Sequence, residues 1–427
     1  MTWLIVLGLL MLAVLGAPLF ALLGAVALIG FHNAGQEGIA VAVEFYRLGD
    51  MPALIAIPLF TLAGYLLAES KTPQRLVRLT NALVGWLPGG LAIVAVCACT
   101  LFTAFTGATG VTIIALGAVL YPALLQAQYG ERFSLGLLTA SGSLGLLLVP
   151  SMPLILYGVV AQQFPTTPPV TIDALFRAGV LPCLLMVVML GLYSAWHVRN
   201  VPRPPRADGA ELLAAAKDAA WEIPLPFVIL IGIYSGKLAA SEAAAATALY
   251  VLVVTVLIRR EIRIGELPRV IRHAMVLVGG ILMILGFSLA LTNWLIDAEV
   301  PDKLFEFLRT HIPQDQPFLF LLALNIFLLV FGMLLEGFPA IILLVPLVLP
   351  VAVKYGVDPV HLGIIFLANL QLGIFLPPLG INLYIASARF RQPVMKLVRA
   401  SVPFFLIMLA ATLVITYWPA LSLWLAR

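Results

Sequence analysis

Apolar runs long enough to cross a bilayer recur along this chain, and no other feature restricts its fold as tightly. Crossing the roughly 30 Å hydrocarbon core takes about 20 apolar residues in a helix. Runs at residues 3–30, 52–69, 133–161, 174–196, 221–236, 239–258, 274–295, 362–387 and 402–424 are candidates for single crossings. Two more, 89–127 and 318–353, are too long for one crossing, and small, polar or proline residues break each near its middle. With 62% hydrophobic and only 10% charged residues, the chain could not cover a water-soluble core, so a soluble enzyme is excluded. The same numbers exclude disorder. Run 3–30 lacks a basic flank and is longer than a secretory h-region, so it reads as a retained span rather than a cleaved signal. Cys97, Cys99 and Cys183 all sit in apolar runs and read as small buried hydrophobes.

Charge then orients the spans. Residues 71–78 carry three basic residues and no acid, the Pro-rich stretch 197–217 holds Arg199, Arg203, Arg206 and Lys217, 259–272 has five arginines, and 389–399 has four basic residues. These segments are expected in the cytoplasm. Residues 30–51 are acidic, 162–173 lack Lys and Arg, and 297–315 have five acids against two bases, so these belong outside. One clear span, 133–161, separates segment 71–78 from segment 162–173. Run 89–127 must therefore enter and leave from the cytoplasm, and by the same argument run 318–353 must enter and leave from outside. Both read as re-entrant hairpins, with legs of about 17 residues, or roughly 25 Å. The N-terminus is expected inside and the C-terminus outside.

A shift of 228 positions superposes the two hairpin regions. Ala140, Leu144, Gly145, Leu148 and Pro150 fall on Ala368, Leu372, Gly373, Leu376 and Pro378, and Pro122 falls on Pro350. Basic segment 71–86 falls on acidic segment 299–314, with Leu76, Leu79 and Leu83 on the first and Leu304, Phe307 and Leu308 on the second spaced for amphipathic interfacial helices. The expected fold is therefore two inverted repeats, each with a re-entrant helical hairpin and a broken transmembrane helix, the architecture of secondary transporters. Residues 1–196 make the first repeat, 197–238 a cytoplasmic linker and connecting helix, and 239–427 the second repeat.

Non-helical backbone inside a bilayer needs protein or water to satisfy it, so the interruptions are the candidate site. Freed carbonyls with hydroxyl or amide oxygens suit Na⁺, and half-helix N-termini suit a carboxylate. The Na⁺ candidates are Thr106, Gly107, Thr109, Ser141, Ser143, Gly145 and Pro150, with Glu336, Gly337, Asn369, Gly373 and Pro377 in the second half. Thr106, Ser151, Gly337, Pro378 and Asn382 are the candidates for an organic anion. Tip one (106–110) is expected to pair with the break at 141–151, and tip two (336–339) with the break at 369–382. The plainer reading is that Gly and Pro are common in membrane helices and that Ser and Thr often bond only the i−4 carbonyl. It weakens each residue more than the four-part set. Glu336 is the one acid placed at mid-membrane, where it reads equally as a functional carboxylate or as a protonated, hydrogen-bonded tip residue.

Chemistry of other kinds finds no foothold. His32, His197, His273, His311 and His361 show no metal-ligand spacing, and no His-Glu-x-x-His, Gly-x-Ser-x-Gly or phosphate-binding loop occurs. No cofactor beyond Na⁺ as coupling ion is expected. The net charge of +4 is too small and scattered for nucleic acid.

The strings IPLFTLAG (57–64), LLTASGSLGLLLVPSMPLILYG (137–158), SEAAA (241–245) and NLQLGIFLPPLGINLY (369–384) resemble the large membrane subunit of tripartite ATP-independent periplasmic (TRAP) transporters. The resemblance runs over essentially the whole chain. It implies an elevator-type, Na⁺-coupled importer of organic anions in a bacterial inner membrane, working with a periplasmic substrate-binding protein. A small four-helix membrane subunit is implied as well, expected here as a separate chain. Tip one reads Thr-Gly-Ala-Thr-Gly where many members carry a serine-rich tip, and Val149-Pro150-Ser151 replaces the commoner Pro-Pro-Ser. A stand-alone Na⁺/dicarboxylate symporter shares the architecture and is the alternative; a passive channel or a scaffold without transport is a further one.

Overall fold

The computed structural model describes residues 8–9, 11–13, 15–199, 201, 208–235 and 237–426, and all of its regular elements among them are helical. Helices α1 (Leu19–Asn33) and α2 (Ile39–Tyr46) precede α3 (Ala56–Glu69) and α4 (Thr72–Val84). Hairpin one is α5 (Gly90–Thr106) and α6 (Thr109–Gln126). The first broken helix is α7 (Glu131–Ser141), a 3₁₀ turn at Leu144–Leu147, and α8 (Met152–Ala161). Helices α9 (Ile172–His197), α10 (Gly209–Asp218), α11 (Pro224–Tyr234), α12 (Ala240–Leu252) and α13 (Leu267–Asp297) follow, then α14 (Val300–His311). Hairpin two is α15 (Pro317–Leu334) and α16 (Gly337–Lys354), and the second broken helix is α17 (Pro359–Gly373) and α18 (Ile381–Phe390). Helices α19 (Val394–Tyr417) and α20 (Ala420–Leu423) close the chain. Among the described residues eight helices are long and apolar enough to cross a membrane, and the pair over Glu131–Leu147 and Met152–Ala161 adds a span bent by 44°. The chain is an all-α polytopic membrane protein.

The 228-residue shift holds in three dimensions. Moved by that amount, Thr109–Gln126 becomes the bounds of α16, and Thr72 falls on the first residue of α14. Both breaks contain a cis X-Pro bond, Val149-Pro150 and Pro377-Pro378, which the shift superposes. The Ser143 hydroxyl donates to the Gln371 carbonyl at 3.2 Å, and these two positions are themselves 228 apart. That contact puts the pseudo-twofold axis between the two breaks.

Two expectations need correction. Run 3–30 is not one continuous helix: Gly16 has φ +88°, and Pro18 stands immediately before α1. A left-handed glycine ends a helix and proline cannot donate into one. Among the described residues of segment 221–236, 11 are helical, about 16 Å of rise. The segment still connects Glu222, beside Arg75, to Ala239 near Gln162 and Asp173, with non-helical turns at both ends. On α4 the buried side is Thr72, Arg75, Leu76 and Thr80 while Leu83 is exposed, and on α14 it is Pro301 and Phe305 while Phe307 is exposed. Arg203 and Arg206 lie outside the described residues.

The topology predicts a labelling pattern. In a chain freed of native cysteines, an impermeant maleimide added from the periplasm should modify Glu306→Cys and miss Gln74→Cys. Both positions are exposed, unlike Arg75. The reverse pattern would overturn the charge assignment.

Candidate transport site

Each hairpin's outgoing leg lies against its own repeat's break. A Cβ built on Gly145 would come within 2.3 Å of the Thr100 carbonyl and 2.5 Å of the Ala104 nitrogen of α5. One built on Gly373 would come within 2.3 Å of the Gly332 carbonyl carbon of α15. Ala104 and Gly332 are again 228 apart, so one close backbone crossing occurs twice. The return legs also reach across: besides their own α7 and α17, α6 packs on α18 and α16 packs on α8. Each tip therefore meets both breaks, rather than only the one expected.

This crossing sets the tips around a shared cavity. Its volume is about 240 Å³, and Gly107, Thr109, Glu336 and Gly337 line it together with Tyr65 and Ile381. Among the described residues, no Lys or Arg lines it. Helices α6 and α16 both begin at it, and neither first turn is capped by a side chain. Uncapped first turns present free N–H groups and the positive end of the helix dipole. Glu336 occupies the N-cap position of α16 and also borders a second opening of about 220 Å³ beside Leu379 and Tyr384.

The other expected residues lie behind this lining. Thr106 is fully buried within tip one. The Ser141 hydroxyl donates to the Leu137 carbonyl at 2.7 Å, the plain i−4 bond, while Ser143 reaches the Ala140 and Gln371 carbonyls. Ser151 caps α8, accepting from the Leu154 amide and donating to the Leu146 carbonyl, and does not reach the cavity. Pro150 is buried, whereas its mate Pro378 and neighbouring Pro377 are exposed. Asn382 accepts from the Thr109 hydroxyl at 2.7 Å, which ties tip one to the second repeat, and its Nδ2 is buried without a partner. Asn369 donates to Asn325 at 2.7 Å and leaves its Oδ1 buried without a donor.

Several working residues carry no mark in the sequence. Thr103 joins Thr112 at 2.7 Å and donates to the Gly142 carbonyl at 2.9 Å, fastening both legs of hairpin one to break one. Tyr65 follows Gly64, where a Cβ would sit 2.5 Å from the Thr106 Cα, so α3 is pressed against tip one. The string 57–64 holds that glycine, but nothing in its spacing says that the next residue faces a cavity.

Comparison with known proteins agrees with this geometry. Residues 3–421 match the family model "Tripartite ATP-independent periplasmic transporter, DctM component". The chain is 33% identical over 386 residues to the C4-dicarboxylate TRAP transporter large permease protein DctM of Pseudomonas aeruginosa, covering 90% of this chain and 88% of that one. It is 30% identical over 432 residues to the ectoine TRAP transporter large permease protein TeaC of Halomonas elongata, covering 100% and 99%. The fold is shared with the crystal structure of the Alcanivorax borkumensis YdaH transporter, at a TM-score of 0.63 and 15% identity over 90% of this chain and 88% of that one. The match over nearly the full length, with helices whose bounds repeat at 228 residues, makes this chain a member of the DctM component family of TRAP transporters, a transporter permease and not an enzyme.

Proposed function

We propose that this chain is the permease of a Na⁺-coupled importer of a small organic anion in a bacterial inner membrane. A periplasmic binding protein delivers the anion, and a small four-helix membrane subunit completes the complex. The observation that carries this reading is the meeting of two uncapped helix N-termini, at Thr109 and Gly337, in one cavity with no cationic side chain among the described residues that line it. Such a cavity holds a carboxylate by dipoles alone. An ionised Glu336 opposes a bare anion there, and a bound cation or a proton offsets that charge. Held this way, the anion binds weakly by itself, which suits delivery by a high-affinity partner. The relatives named above differ in solute, so family membership leaves the choice of anion to the cavity and the binding protein.

Burial supports an elevator-like exchange of access. Hairpin one enters from the cytoplasm, so its tip points toward the periplasm, and Thr106 there is buried. Hairpin two enters from outside, and the break beside its tip is exposed at Pro377, Pro378 and Leu379. Exposed non-helical backbone cannot face lipid. Residues 377–379 are the exposed part of that break, which supports their meeting water on the cytoplasmic side, as in an inward-facing arrangement. The twofold relation supplies the outward one, with tip one and break one exposed instead.

Uptake into proteoliposomes tests the coupling. Imposing an inward Na⁺ gradient should drive accumulation only when the binding protein is present. Ser141→Ala with Ser143→Ala, and separately Glu336→Gln, should raise the Na⁺ concentration for half-maximal uptake by roughly tenfold, the scale of one charge-assisted contact. Unchanged Na⁺ dependence in both variants would remove these residues from the ion sites. Full-rate uptake without a binding protein would favour a stand-alone symporter.

A further inference from the structure

One buried charge cluster lies away from the cavity and takes no part in the reading above. The Arg75 side chain is 5% exposed, and those of Glu222 and Glu261 are 4% and 10% exposed. Arg75 Nε donates to Glu222 Oε1 at 2.7 Å, Nη2 donates to Glu261 Oε2 at 3.2 Å, and Nη1 meets Glu261 Oε1. The Lys71 amide also donates to Glu261 at 2.9 Å, and the Thr72 hydroxyl to Glu222 at 3.2 Å. Burial pushes the Glu261 carboxyl up, but hydrogen bonds from Arg75 and the Lys71 amide more than reverse this and leave it below the usual carboxylate range. One turn further along α4, Arg78 reaches Glu211 and Asp218, and Arg259 also reaches Asp218. The leading half of α4 is thereby tied to α10, to the start of α11 and to the loop after α12, none of which belongs to a hairpin.

The twofold mate of this helix is tied differently. Lys303, the mate of Arg75, is exposed and, among the described residues, bonds the Ala298 carbonyl at 2.8 Å. Asp302 on α14 pairs instead with Lys354, at the outer end of hairpin two. The Tyr355 hydroxyl and the Gln314 amide strengthen the same junction, at 2.9 and 2.8 Å. So the polar ties of α14 run to its hairpin, whereas those of α4 run to elements outside either one, while α4 also packs against α5. Between α4 and hairpin one lies 85–89, with glycine at 85 and 89 and Gly90 opening α5, and Gly89 has φ +69°.

We propose that Arg75, with Glu222 and Glu261, is the fixed anchor from which hairpin one swings about residues 85–89. Arg75 is then a positioning residue, acting on transport through α4. This rests on the moving-hairpin reading given above. Two arms in the full complex, reconstituted in proteoliposomes, test it. In a chain freed of native cysteines, Arg78→Cys with Glu211→Cys is bridged by a short, reducible bifunctional thiosulfonate. Because these elements stay together throughout the cycle, bridged protein should keep uptake within about twofold of the unbridged protein. Uptake lost on bridging and restored by reduction would overturn the anchor. The second arm is Arg75→Met with Glu222→Gln and Glu261→Gln, which removes all three charges so that none is left buried and unpaired. Equilibrium binding of anion and Na⁺, and the KM, should hold within about twofold, while the maximal rate falls by about tenfold or more. An unchanged maximal rate would overturn the proposal. Should the triple variant not insert, the bridging arm alone decides. Failure of the transport reading itself would appear separately, as absent Na⁺-driven uptake by the unmodified complex.

Discussion

Gly337→Trp is expected to bring anion uptake to background in protein that inserts, assembles with its small subunit and keeps its thermal stability. Position 337 is the first residue of α16 and faces the cavity between the tips. A Cβ built there would touch only Ile374 Cδ1, at 3.8 Å, an ordinary van der Waals distance. The indole therefore has room to enter without displacing backbone, and what it occupies is the cavity of about 240 Å³ that a small carboxylate needs. Gly337→Ala is the matched control, since a lone methyl at 3.8 Å leaves most of that space open. Uptake and detergent-solubilised melting should be measured on both variants. Wild-type uptake by the tryptophan variant would place the anion somewhere other than between the tips.

Gly145→Ala and Gly373→Ala should act through the opposite link in the chain, by damaging the fold that brings the tips together. The added methyl at either position would sit 2.3 Å from backbone atoms of a neighbouring helix, which cannot rotate away as a side chain could. Overpacking of this kind costs about 1–3 kcal/mol, more where only backbone can yield. Both variants should melt earlier than wild type and yield less assembled complex. The twofold relation adds a sharper expectation: the two losses should be similar in size. A stable Gly373→Ala with wild-type uptake would mean that α15 and α17 do not cross as closely as the geometry requires.

Much of this architecture is legible in the sequence because bilayers leave few options. Apolar run length marks most of the spans, and Lys/Arg placement gives the expected sense from which the hairpins are inferred. The 228-residue correspondence is visible in Gly145 and Gly373 since only glycine permits that backbone approach, so the repeat is carried by the residues packing cannot exchange. The candidate site was legible only in part. Thr109, Glu336 and Gly337 stand at chain interruptions, where a reader looks for them, and they do reach the cavity. Ser151 stands at one too, but its hydroxyl is taken up by the α8 cap, an outcome that depends on the local turn. Which break each tip meets depends on how the return legs cross over, a tertiary choice that no local pattern encodes. Arg75 read as one more cytoplasmic charge because its partners, Glu222 and Glu261, lie about 150 and 190 residues away.

Exchange of exposure between twofold mates is the centre of the account, and Ser151 and Leu379 are such a pair. Ser151 is fully buried, and Leu379 is 51% exposed. In inverted vesicles and intact cells, Leu379→Cys and Ser151→Cys should be tested separately with an impermeant thiol reagent, at rest and during Na⁺-driven uptake. The account predicts that Leu379→Cys reacts from the cytoplasmic side at rest and is protected during turnover. Ser151→Cys should be silent at rest and become reactive from the periplasmic side once transport begins. A Ser151→Cys that never reacts from the periplasm while the complex is transporting, or a Leu379→Cys whose reactivity ignores turnover, would contradict the account.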